Sequence, residues 1–188
     1  MTRDVLFNDI MAVVLEHEGF DRISDHPADP GGVTKWGVSL RFLQKLNEVG
    51  PDGFAAGDMD KDGDIDADDI RGLTKDQALT VYWSQFWNRY GYGNLQDRII
   101  ATKVMDLSVN MGPAWAHTLL QRSAHAVVQS PMVEDGVLGP KTMAYANSGA
   151  LGIIVALRSE AAGRYRLLAE VNPKNKVFLN GWLARAYS

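Results

Sequence analysis

The sequence predicts a mainly α, α+β protein: six to eight helices with one small irregular β-hairpin. Two observations carry this expectation. Apolar residues recur at helical spacing in separate stretches: Val5, Leu6, Ile10, Val13 and Val14; Ile100, Val104, Leu107 and Met111; Ile154, Leu157, Ala161, Tyr165 and Leu168. A single run of turn formers, Asp29 to Gly32, stands just after the first helical stretch and reads as the turn of a hairpin.

Composition bounds the rest. The 188 residues are 46% hydrophobic, enough for one compact domain or a domain with a small extension. A net charge of −4 gives no electrostatic footprint for nucleic acid. The chain has no cysteine, which leaves the compartment open. Residues 5–15 are interrupted by Asn8 and Asp9, so they read as an amphipathic helix and not as a signal peptide or membrane span.

Taken in order, the first helix starts with Asp4 in its first turn and ends near Glu18, where Gly19 can adopt a left-handed conformation. A helix C-terminus disfavours negative charge, so a carboxyl placed there tends to hold its proton, as a general acid must. Asp25, His26, Asp29, Thr34, Trp36 and Gly37 then occupy the hairpin. A helix-end Glu facing a small hairpin that bears Asp and Thr is an arrangement suited to glycoside hydrolysis. Ser39 can cap a short helix carrying Leu40, Leu43 and Leu46, which Gly50-Pro51 stops.

Thr74-Lys-Asp-Gln77 is a capping box that opens a helix with Ala78, Val81, Tyr82 and Phe86 on one face. Trp83 and Trp87 on that helix read either as core or as the wall of a sugar groove. Gly91 and Gly93 break the chain. In the next helix Asp106 and Asn110 lie four apart on one face, as buried hydrogen-bonding groups or as cleft residues. A bend at Asn110 to Pro113 leads into a helix reaching about Gln129. Asp135-Gly-Val-Leu-Gly-Pro140 turns into a further helix with Pro140 in its first position. Asn172-Pro173 starts the last helix, which carries Phe178 and Trp182. The expected seam lies at 124–135, dividing 1–130 from a helical segment 131–188 packed onto it, in one globule.

Residues 58–69 form an EF-hand-like loop, Asp-Met-Asp-Lys-Asp-Gly-Asp-Ile-Asp-Ala-Asp-Asp. Asp58, Asp60 and Asp62 fill positions one, three and five, and Gly63 stands at position six, where the turn is sharp. Asp64 offers its carbonyl at position seven, Asp66 acts through water at nine, and Asp69 replaces the usual Glu at twelve. One structural Ca2+ is expected, with Asp58, Asp60, Asp62, Asp64 and Asp69 as its metal residues. The long flanks argue for an ion that pins an insertion and against a switch.

His17-Glu-Gly-Phe20, Asp29-Pro-Gly-Gly-Val-Thr34-Lys-Trp-Gly37-Val-Ser39 and Asn110-Met-Gly112 resemble the glycoside hydrolase family 108 muramidases, mostly bacteriophage endolysins. Leu120-Gln121, Asp135 to Thr142 and Gly181-Trp-Leu-Ala-Arg185 resemble the peptidoglycan-binding segment that accompanies that family. The matches span about residues 5–187. One departure is that the family usually has two glycines after the Glu, where this chain has Gly19-Phe20.

The resemblance implies a lysozyme-like fold and cleavage of the β-1,4 bond between N-acetylmuramic acid and N-acetylglucosamine in peptidoglycan. It implies Glu18 as the catalytic acid, in a muramidase region spanning 1–130. Asp29 and Thr34 are the expected holders of the attacking water, with Asp25 the competing carboxylate. Asn110, Trp36 and His26 are the expected substrate contacts. The expected partner is the glycan strand, with a holin for export from the host cytoplasm to the cell wall, and the expected state is a monomer. The rival readings are a lytic transglycosylase and a non-catalytic, calcium-dependent cell-wall-binding protein.

Overall fold

The computed structural model describes residues 4–25, 32–129, 131–149 and 151–188. Among them are nine α-helices and one two-stranded antiparallel sheet. The chain divides into two compact units, Met11–Gln85 and Met1–Ile10 with Phe86–Ser188.

In the unit Met11–Gln85, helix α1 (Val5–His17) supplies the buried side chains Met11, Val14 and Leu15. Its C-terminus closes as a Schellman motif. Gly19 N donates to Glu16 O and Phe20 N donates to Leu15 O, both with left-handed φ, +81° at Gly19 and +56° at Phe20. Position 20 is thus left-handed, and a Phe adopts it here.

Strands β1 (Thr34–Lys35) and β2 (Val38–Ser39) pair with Thr34 opposite Ser39 and Lys35 opposite Val38. The connecting residues are therefore Trp36 and Gly37, with φ +53° and +74°, as a two-residue primed turn requires. The expected turn at 29–32 lies mostly outside the described residues. Ser24 bridges Thr34 from the other side.

Ser39 caps helix α2 (Leu40–Leu43) by accepting from Phe42 N, but the helix ends before Leu46, which the sequence had included. Helix α3 (Ala67–Gly72) was not expected. Asp66 is its N-cap and Asp69 closes a capping box, so the end of the acidic run is helical. Helix α4 (Lys75–Tyr82) starts at the expected Thr74–Gln77 box and passes into a π-helical stretch, Trp83–Asn88.

The second unit is built on α5 (Arg98–Met111), α6 (Pro113–Val128), α7 (Pro140–Ala146), α8 (Gly152–Val171) and α9 (Leu179–Tyr187). Helix α8 packs on α6, α9 and α5. Ile153, Leu157, Ala161, Tyr165 and Ala169 form its buried stripe. Trp182 stacks on Tyr165, with Phe178 beside it. Trp87 is core: its ring meets Phe7 and Tyr92 edge-on and its indole N–H donates to Asp4.

The segment 135–142 is fastened to α6 mainly by Gln121, with His117 adding a bond to Gly136 O. Gln121, 2% exposed, accepts from Gly136 N and donates its amide toward Asp135 Oδ1, Val137 O and Thr142 Oγ1. Gly136 has φ +71°, and a Cβ there would lie 2.8 Å from Ala114 O, so no larger residue fits. The Gln121 and Asp135–Thr142 motifs thus hold each other in place. Asp106 is equally internal: its carboxylate lies 3.2 Å from Arg185 Nε and 3.7 Å from Lys103 Nζ, all three side chains at most 10% exposed.

Candidate active site

Glu18 is the residue immediately after α1, half-buried, with its backbone fixed by the Schellman hydrogen bonds on either side of it. Its side chain runs against the tip of the hairpin. A Cβ built on Gly37 would sit 2.7 Å from Glu18 Cγ and 2.9 Å from Glu18 Cβ, well inside van der Waals contact. The hairpin can lie on the Glu18 stem because position 37 has no side chain.

Two left-handed corners meet here. Trp36 N donates to Phe20 O at 3.2 Å, joining the Trp36–Gly37 turn to the Gly19–Phe20 helix end. Trp36 O accepts from the Tyr82 hydroxyl at 2.9 Å. Left-handed φ costs a side-chain-bearing residue about 1 kcal/mol or more, and the usual occupants of this turn are Asn, Asp and Gly. Phe20 and Trp36 are both bulky aromatics in that region, and strain of this kind gathers at functional sites. Trp36 is half-buried, and its indole nitrogen is shielded with no acceptor among the described residues.

Thr34 is half-buried; its hydroxyl donates to Gly32 O at 3.3 Å. His26 and Asp29 lie outside the described residues. Asp25 is exposed, within the electrostatic reach of Arg71, whose guanidinium is held charged mainly by Asp68 and to a smaller degree by Asp25. Asn110, in the other unit, accepts from the Tyr165 hydroxyl at 2.7 Å near the end of α5. Tyr82 was read from the sequence only as one face of a helix, and Gly37 only as a hairpin residue beyond the turn at 29–32; neither has a local signal for its part at the Glu18 side chain.

The acidic loop gathers two sets of oxygens. Asp58, Asp60 and Asp69 each bring a carboxylate oxygen within 4.8 Å of the others, and so do Asp64, Asp66 and Asp69. Asp62 belongs to neither set and accepts from Asp64 N. Asp58 and Asp69 are buried and turn the loop by accepting from Lys61, Gly63, Asp60 and Asp66 amides. Gly63 has φ +107°, where the sharp turn was expected. The donors are all hard oxygens, the set that suits Ca2+. Crowding shows in the carboxyls: desolvation and then Asp62 raise the pKa of Asp60, and Asp62 foremost raises that of Asp64.

A helix-end carboxyl seated on a strained hairpin corner, in a helical fold with one small sheet, has the form of a glycosidase. Residues 11–112 match the family Glycosyl hydrolase 108, and the chain belongs to that family. The fold is lysozyme-like α+β and is similar to the structure of Brucella abortus SagA. The two share 27% identity over 96% of this chain and 89% of that one, with a TM-score of 0.71. No curated protein matches the chain. Among the described residues no helix is long and apolar enough to cross a membrane.

Proposed function

We propose that the protein is an N-acetylmuramidase of the endolysin type, which hydrolyses the β-1,4 bond between N-acetylmuramic acid and N-acetylglucosamine in peptidoglycan. Glu18 is the general acid. The observation that carries this reading is the placement of Glu18, a half-buried carboxyl at a fixed helix end with its stem held by the hairpin, within the family-matched residues. The Glu18 carboxyl delivers its proton to the leaving glycosidic oxygen as the bond to the anomeric carbon breaks. Water completes the hydrolysis at that carbon, and Thr34 with Asp29 holds the water. Trp36 and His26 contact the glycan.

In the same reading the acidic loop 58–69 holds one Ca2+ as a structural ion, through Asp58, Asp60 and Asp69 with help from Asp62 and Asp64. The segment 131–188 serves as part of the enzyme's folded body. The enzyme acts as a monomer on the cell wall of a bacteriophage host, reached from the cytoplasm through a holin.

The test compares wild type with Glu18→Gln on purified peptidoglycan by loss of turbidity and by analysis of the products. The expected result is new reducing N-acetylmuramic acid ends from wild type, and a loss on the order of 10²–10⁴-fold or more in the variant. Clearing by Glu18→Gln at the wild-type rate overturns the assignment of the acid. Products ending in 1,6-anhydro rings replace hydrolysis by the transglycosylase reading, and binding without bond cleavage by the non-catalytic one.

A further inference from the structure

We propose that Tyr82 is a positioning residue for the catalytic acid: its hydroxyl pins the Trp36–Gly37 corner, and that corner sets the direction of the Glu18 side chain. The inference rests on Glu18 being the general acid.

Schellman closure fixes the Glu18 backbone, but two torsions still separate its Cα from its carboxyl group. The hairpin restricts them. Glu18 Cβ and Cγ and the Tyr82 hydroxyl oxygen all lie within 3 Å of the point where a Gly37 Cβ would stand. Stem, turn and hydroxyl therefore occupy one small space, in which a shift of the turn must move the carboxyl. The turn does not hold itself well. Its sheet has two residues per strand, and its first corner residue is a left-handed Trp. Its further ties include Trp36 N to Phe20 O and the Tyr82 hydroxyl to Trp36 O, the latter from a residue 46 positions away and only 2% exposed.

Tyr82 is also the last residue of α4 before the chain passes into the π-helical stretch Trp83–Asn88. Such stretches are rare and recur at functional sites, because the extra residue per turn re-aims the side chains around it. A phenylalanine would fill the same core volume. The hydroxyl adds the bond to the strained turn.

The consequence belongs to the proton-transfer step. Displacement of a catalytic group by about 1 Å can cost around 10²-fold in rate. A glycosidic oxygen that leaves as a sugar needs that proton, whereas a phenol of low pKa leaves without it. Tyr82→Phe should therefore harm the two kinds of substrate unequally, which a merely structural role does not do.

The experiment uses the full chain and measures kcat and KM for Tyr82→Phe on a peptidoglycan glycan strand and on an aryl glycoside of the same glycan with a nitrophenol leaving group. The expected result is a loss of roughly 10–100-fold in kcat on the glycan strand, with KM changed less than about threefold. On the aryl glycoside kcat falls less than about threefold. Gly37→Ala, which pushes a methyl group into the same space, gives the same inequality and serves if Tyr82→Phe fails to fold. Wild-type kcat on the glycan strand, or equal losses on both substrates, overturns the proposal. Glu18→Gln separates this from failure of the parent reading. If it abolishes glycan cleavage while Tyr82→Phe is unimpaired, only the positioning role falls; if it retains full activity, both fall.

Discussion

Replacing Gln121 by Leu removes the side chain that makes most of the hydrogen bonds from α6 to residues 135–142, and leaves the bond between His117 and Gly136 O in place. Leucine nearly preserves the volume, so the loss is one of hydrogen bonds. Gly136 N loses its acceptor at 3.0 Å, and Val137 O and Thr142 Oγ1 lose the amide at 3.0 and 3.2 Å. The amide has two hydrogens for its three acceptors, so no more than three bonds disappear in all. Each unsatisfied buried group costs about 1–3 kcal/mol, and water can reach part of this segment, so the expected loss is about 2–4 kcal/mol. For a chain of this size that lowers Tm by roughly 5–15 °C. The neighbouring ion pair is the control. Arg122 and Glu134 approach to 2.7 Å, but their side chains are 40% and 37% exposed. Arg122→Ala should therefore shift stability by no more than about 1 kcal/mol. Thermal and urea unfolding of the two variants decide the matter. If Gln121→Leu melts within about 2 °C of wild type, or no lower than Arg122→Ala, the fastening role is refuted.

Two further outcomes can be stated. Calcium should raise Tm and chelator lower it, by about 2.7 kcal/mol of stability at a hundredfold excess over Kd; Asp69→Asn should abolish the difference, and a Tm indifferent to calcium and chelator ends the metal reading. His117 is buried between the Tyr92 hydroxyl and Gly136 O, and burial lowers its pKa from the ordinary 6.5. The unfolded chain therefore takes up the proton first, so the contribution is intact above pH 6.5 and is lost as pH falls from there toward the lower folded value. Melting curves between pH 7.5 and 5.5 should show a smaller decline for His117→Phe than for wild type, and equal declines would count against the linkage.

The parts that were legible in the sequence are those whose cause is local. The Thr74–Gln77 box, the Ser39 cap and Pro140 each act within three residues, and each stands where it was expected. Asn172 caps a 3-10 turn, Pro173–Phe178, and not the last helix, which starts only at Leu179 and carries Trp182 but not Phe178. Gly19 ends α1 in the same way. Helix α3 escaped because a six-residue helix is too short to show a period, and its Asp content reads as loop. The hairpin corner at Trp36–Gly37 escaped for a related reason: strands of two residues show no alternation, and Pro-Gly-Gly is the louder turn signal. Glu18 was legible as a helix-end acid. The bond from Tyr82 to Trp36 was not, since it spans 46 residues and links a core position to a turn by a single hydroxyl.

The buried group of Lys103, Asp106 and Arg185 bears on behaviour with heat. At room temperature, withdrawing three charges from water offsets much of what their attraction contributes. The hydration of ions weakens as temperature rises, while the gain from burying apolar surface levels off. This cluster therefore contributes more to the fold of the second unit as the protein is warmed. An apolar triple replacement of similar volume should compare best with wild type in the cold and lose ground steadily toward the melting range.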